Sequence, residues 1–157
     1  MEYLLLKWIH ILSSTFLFGT GIGSAFYKLL ADREGNLHNI AQTNRHVVLA
    51  DWLFTTPTAI IQPLTGIMLA RVIGFPLDTP WLLASIVLYI LTLACWIPVV
   101  FMQMRMSRLS QEALRTQQLL GPEYHRLTRQ WILLGMIAFI AMVAVFYLMV
   151  FKPALGM

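Results

Sequence analysis

Charge and cysteine are what this chain has least of. Only 11% of its 157 residues are charged, where a soluble domain carries about 25%. That scarcity excludes a disordered chain, a nucleic-acid-binding domain and an ordinary cytosolic enzyme. The one cysteine, Cys95, excludes an intramolecular disulfide framework and any zinc site built on several thiolates. No Ser-His-Asp order with a nucleophile elbow is present, nor HExxH, CxxC or a Walker motif. Hydrolase, protease and ATPase readings therefore lack support. No internal repeat is visible, which argues against a secondary transporter built on inverted halves.

Apolar residues fill the space: 59% are hydrophobic, against about 45–50% in a soluble domain, and mean hydropathy is +0.72. A spanning helix needs about 20 mostly apolar residues. Four stretches qualify, Tyr3–Phe26, Val47–Ala70, Trp81–Met104 and Trp131–Phe151. They predict an all-α chain, a single domain over 1–157 folded as a four-helix transmembrane bundle. The first stretch reads as a span rather than a signal peptide, because Lys7 interrupts it and no short basic region precedes it. Ala31–Asn36 and Gly74–Pro80 are breaker clusters. Arg105–Arg129 is polar but helix-forming, broken at Gly121-Pro122.

The net charge of +4 and a pI near 9.6 suit an asymmetric topology better than a nucleic-acid partner. Lys28, Arg33, Arg45, Arg105, Arg108, Arg115, Arg126 and Arg129 fall on one side of the bundle, against Lys7, Arg71 and Lys152 on the other. The positive-inside rule then predicts both termini on the periplasmic side of a bacterial inner membrane. The five tryptophans lie mostly toward segment ends, as an aromatic belt requires. Gly19 and Gly23 form a GxxxG pair, which predicts a close helix contact. The fourth span is nearly uniform and reads as a lipid-facing wall.

Polar residues inside hydrocarbon are costly, so each raises a functional question. Asp51, Thr55, Thr58, Gln62 and Thr65 recur every three or four residues and predict one polar stripe on the second span. Pro57 and Pro63 interrupt the same helix and free carbonyls to face a cavity. The stripe serves either a ligand or cofactor pocket, with Asp51 and Gln62 as its reactive members, or interhelical hydrogen bonds. The simplest partner for Asp51 is Arg45 or Arg105. His10 stands on a small-residue face with Ser14, Gly21 and Ser24. Neutral imidazole is a haem iron ligand, and such a face leaves room for a flat macrocycle. Packing is the plainer use of a lone histidine. His46 and His125 lie on one side beside Arg45 and Arg126, suited to a cofactor's propionates or to lipid head groups. His38 is expected in solvent. Gln103 is placed to join Asp51, and Cys95 reads as apolar filler.

Two resemblances add to this. Leu5-Leu6-Lys7-Trp8-Ile9-His10-Ile11-Leu12, Phe18-Gly19-Thr20-Gly21, Asp51-Trp52-Leu53-Phe54-Thr55, Gln62-Pro63-Leu64-Thr65-Gly66 and Trp96-Ile97-Pro98-Val99 resemble a small bacterial family of predicted integral membrane proteins. That likeness covers nearly the whole chain and implies no activity. More distantly, Leu6-Lys7-Trp8-Ile9-His10-Ile11, Thr56-Pro57-Thr58-Ala59 and the closing Lys152-Pro153 are similar to HemJ-type protoporphyrinogen oxidases, small membrane proteins that hold haem b. This second resemblance implies His10 as a haem ligand. Trp81-Leu82-Leu83-Ala84-Ser85 stands where that family has a lysine, which leaves a second axial ligand unassigned.

The sequence thus points to a haem-b redox protein, with His10 on iron and the stripe lining the pocket or relaying protons. The candidate ligand is a porphyrin or quinone-like molecule. The alternative is a non-enzymatic assembly subunit, or a small-molecule or lipid binder without cofactor, with the bilayer and a second copy of the chain as partners. Proton or ion conduction along the polar face is a third reading.

Overall fold

Two glycines and a proline-led start punctuate a chain that is otherwise helical. The computed structural model describes residues 1–153. Helix α1 runs Glu2–Glu34 and stops where Gly35 turns left-handed at φ 72°, a conformation that costs glycine little. Asn36 then caps the next helix, its side-chain oxygen accepting the N–H groups of His38 at 3.0 Å and Asn39 at 3.2 Å. Helix α2 is continuous over Leu37–Ile73 and ends at Gly74, φ 82°. Helix α3 spans Pro80–Thr116 and α4 spans Pro122–Phe151. Each opens on a proline, in the first turn where a missing N–H leaves no bond unmade.

Near its middle α2 widens into a π-turn over Asp51–Thr55, where the N–H of Thr56 reaches back to the Asp51 carbonyl. Pro57 explains the place. It brings no N–H, and a regular helix would clash its ring with the carbonyl four residues earlier. A π-turn absorbs the mismatch, and the Thr58 hydroxyl donates to the Phe54 and Thr55 carbonyls instead.

The four helices run antiparallel, and each is long and apolar enough to cross a membrane. Helix α1 packs along α2, α3 packs along α4, and the first half of α2 lies against α3. Two apolar cores hold the pairs together. One sits toward the helix-joining loops at Gly35 and Gly121, with Ala31, Ile40, Val99, Met106, Tyr124 and Trp131. The other sits near the chain termini, with Ala70, Trp81, Leu82 and Leu148. Helices of 30 to 37 residues reach about 45–55 Å, well past a hydrocarbon core of about 30 Å. The expected polar stretch after Met104 is accordingly the projecting end of α3 and the start of α4. The breaker at Ala31–Asn36 narrows to Gly35 and Asn36.

Several expectations need correction. Trp81 and Trp131 are buried and Trp96 half-buried, so only Trp8 and Trp52 are exposed as belt residues would be. A Cβ on Gly19 or Gly23 would meet nothing within 4 Å, so that pair is not a helix contact within the chain. Helix α4 is no plain lipid wall: Tyr124, Trp131, Ala141, Met142 and Leu148 are buried.

Candidate functional site

Between the two cores lies a cavity of about 400 Å³, bounded by all four helices. Most of its lining is aliphatic or aromatic. The polar exceptions include Asp51 and Thr55 from α2 and Tyr89, Trp96 and Gln103 from α3, with the Trp131 indole from α4. Asp51 and Thr55 lie in the π-turn, so the irregularity imposed by Pro57 sits at the cavity wall. Thr55 Oγ1 donates to Asp51 Oδ1 at 2.8 Å. Tyr89 is already committed, its hydroxyl donating to the Ala59 carbonyl at 2.7 Å.

Four buried side-chain polar atoms lack a hydrogen-bond partner among the described residues: Asp51 Oδ2, Gln103 Oε1, Trp96 Nε1 and Trp131 Nε1. All four belong to residues that line this one cavity. Folded proteins rarely leave such atoms unpaired, and their clustering in one place asks for an explanation. The expected ionic partners of Asp51 are not there. Arg105 pairs with Glu123 at 2.9 Å, and Arg45 is exposed.

The cavity reaches the outer surface between α1 and α4. Ile22, Phe26 and Leu29 of α1 and Ile132, Met136 and Phe139 of α4 line it while remaining exposed. Above this mouth Phe18 stacks on Phe139 and meets Phe146 edge-on, with centroids 5.5 and 5.1 Å apart. Below it Lys28 Nζ lies over the rings of Tyr124 and Trp131, at 5.2 and 5.3 Å. Gly21 and Gly135 also line the cavity, and a Cβ on either would meet nothing within 4 Å.

His10 belongs to a separate polar knot nearer the termini. Its Nδ1 is 2.8 Å from Thr65 Oγ1 and its Nε2 is 3.2 Å from Gln62 Nε2. Ser13 donates to Gln62 Oε1, and Thr65 donates onward to the Ile61 carbonyl at 2.8 Å. One chain of donors, Ser13 to Gln62 to His10 to Thr65, satisfies every member if His10 is neutral with its proton on Nδ1. Gly66 makes room for the ring: a Cβ there would stand 3.2 Å from His10 Cε1.

A third network, missed from the sequence, closes the loop end. Lys28 is 1% exposed, bonded to Asp32 at 2.6 Å and to the Tyr124 hydroxyl at 3.3 Å. That hydroxyl donates to Asp32 at 2.6 Å and accepts from Asn44, whose amide also donates to Ser110. All four helices contribute. The i, i+4 spacing of Lys28 and Asp32 was visible in the sequence; Tyr124, Asn44 and Ser110 carried no signal.

The predicted site residues therefore divide. Gly21, Asp51 and Thr55 line the cavity, while His10, Gln62 and Thr65 form the knot. Ser14 and Thr58 spend their hydroxyls on backbone carbonyls of their own helices. His46 and His125 are exposed, as is His38, and no cluster of three metal-ligating side chains occurs among the described residues. The predicted single stripe is broken by the π-turn into a cavity part and a knot part. Gln103 joins Asp51 at the cavity, as its place on the third span predicts, whereas Trp96 and Trp131 line it without a sequence signal. A histidine that ligates haem must turn an imidazole nitrogen to the iron. Both His10 nitrogens are engaged and His10 does not line the cavity, so these residues as arranged do not fit a haem there.

Four apolar antiparallel helices enclosing a polar-spotted cavity define a multi-pass integral membrane protein. Residues 4–153 match the family model described as Predicted integral membrane protein (DUF2269), and the chain belongs to that family. No curated protein and no solved structure matches it.

Proposed function

We propose that this protein binds a membrane-soluble amphiphile, which enters the cavity sideways from the bilayer between α1 and α4. The observation that carries the reading is that the four buried, unpartnered atoms, Asp51 Oδ2, Gln103 Oε1, Trp96 Nε1 and Trp131 Nε1, all belong to residues lining one apolar-walled space. Ligand sites have this composition, apolar walls with a few convergent polar groups, and volumes of about 300–1,000 Å³. The exposed mouth residues are apolar, which suits entry from lipid rather than from water. The basic excess at the loop end supports a bacterial inner membrane with that end in the cytoplasm and both termini outside.

The test is to purify the full chain in mild detergent, extract it with organic solvent and identify co-purifying small molecules by mass spectrometry. We expect one amphiphile per chain, retained by His10→Ala and lost from an Asp51→Leu/Gln103→Leu variant. A chain that carries none, and takes none from a total lipid extract, overturns the reading. An absorption spectrum of the same sample with a Soret band that His10→Ala abolishes would return the haem-binding redox reading in its place.

A further inference from the structure

The unpartnered atoms also specify what kind of polar head the cavity takes. With Asp51 as the carboxylate, two of them are acceptors, Asp51 Oδ2 and Gln103 Oε1, and two are donors, the Nε1–H groups of Trp96 and Trp131. Asp51, Gln103 and Trp131 are each more than nine-tenths buried, so water is a poor substitute partner. A fatty carboxylate brings acceptors alone and sets a negative charge against Asp51. An alkylammonium brings donors alone and leaves both indoles unpaired. One hydroxyl both donates and accepts, and so answers one atom of each kind. Two hydroxyls answer all four. The remaining walls favour a flat body between them, since Phe18, Phe26, Tyr89 and Phe139 join the two indoles around the space, and aromatic faces and edges pack best on another ring.

We infer that the ligand is a lipid-tailed dihydroxy-arene of the hydroquinone type, held by Asp51, Gln103, Trp96 and Trp131. This rests on the amphiphile-binding reading above and narrows it. The oxidised, quinone form of such a molecule offers only carbonyl acceptors. It satisfies the two indoles and brings no donor to Asp51 Oδ2 or Gln103 Oε1, so the cavity prefers the reduced form. Two additional hydrogen bonds of ordinary net strength correspond to roughly tenfold tighter binding or more.

The experiment is equilibrium binding to the full chain in lipid nanodiscs, without oxygen, with bound probe quantified by mass spectrometry. The probes are decylubiquinol, decylubiquinone, decanol, dodecylamine and dodecanoate. The expected result is saturable binding of the quinol at one per chain, roughly tenfold tighter than the quinone and tighter than the three single-headed probes. Asp51→Leu and Gln103→Leu should each cut the quinol-over-quinone preference to roughly threefold, whereas Trp131→Phe should weaken both forms together. Saturable binding that ranks decanol, dodecylamine or dodecanoate above the quinol overturns the dihydroxy-arene class and leaves the amphiphile reading standing. Equal binding of quinol and quinone also overturns the class. No saturable binding of any probe overturns both. If a cavity variant fails to fold, the ranking of the five probes on the unsubstituted protein decides alone.

Discussion

Lys28 Nζ lies 2.6 Å from Asp32 Oδ2 on one face of α1, and the lysine is sealed among all four helices at their loop end. A pair of this kind is weak evidence of net stabilisation, because desolvating two charges costs about what their attraction returns. Removing one partner is different, since it strands the other. Lys28→Ala is therefore expected to destabilise by about 3 kcal/mol or more, while Lys28→Met combined with Asp32→Leu recovers most of that loss. Thermal unfolding of the three proteins in detergent checks the asymmetry.

Tyr124 ties that pair to the rest of the bundle. Its hydroxyl serves Asp32, Asn44 and Lys28 at once, and the residue is 2% exposed. Tyr124→Phe keeps the packing and withdraws the hydroxyl from three buried polar groups. The expected cost is about 1–3 kcal/mol. Asn44→Ala, which leaves Asp32 and Lys28 paired, should cost less, and a denaturant series on both variants distinguishes them.

How much of this was legible in the sequence follows from the range of each interaction. The four spans were, because a run of apolar residues is a local property, and so were the breaks at Gly35, Gly74 and Gly121-Pro122. The stripe from Asp51 to Thr65 was half legible. Its helical spacing was plain, but the π-turn before Pro57 changes which residues share a face, so Asp51 and Gln62 serve different networks. The positions of Trp96 and Trp131 toward segment ends suggest belt residues. Their burial depends on how α3 and α4 pair and on where α1 stands off from α4, which no periodicity encodes. In the sequence Lys28 shows only as one of the basic residues on the loop side, for the same reason: the Tyr124 it bonds, and the Asn44 that joins them, come from α4 and α2.

His10 and Gly66 are expected to be energetically coupled. An alanine at 66 brings Cβ to 3.2 Å from His10 Cε1, and the ring cannot yield freely with both nitrogens bonded to α2. Gly66→Ala should therefore destabilise, by about 1 kcal/mol or more. In a His10→Ala background the clash disappears and the same change should stabilise, since alanine is the better helix former by up to about 1 kcal/mol. A double-mutant cycle on unfolding free energy reads the coupling. Simple additivity would mean that the ring does not pack on Gly66.

Gly135 is expected to set access to the cavity. It lines the space on α4, is exposed, and has room for a side chain. Gly135→Leu should leave thermal stability unchanged or slightly raised, because helix propensity improves. It should lower amphiphile uptake several-fold by filling the mouth beside Met136 and Phe139. Gly121→Ala, in the loop outside the cavity, is the control. Equal loss of uptake in both variants would show that the path does not run between α1 and α4.

Pro57→Ala separates stability from binding. The proline is the local reason for the π-turn at Asp51–Thr55, and an alanine restores the missing N–H and removes the ring. A helix free to become regular gains roughly 1–3 kcal/mol. Losing the extra residue of the wide turn rotates everything on one side of it by about 100° relative to the other, so Asp51 can no longer face Gln103 while Gln62 still meets His10. The variant is expected to melt higher and to bind amphiphile much more weakly. If it melts higher with binding intact, the position of Asp51 is set by its contacts with α1 and α3 rather than by the proline, and the π-turn is a by-product of the fold rather than the device that builds the site.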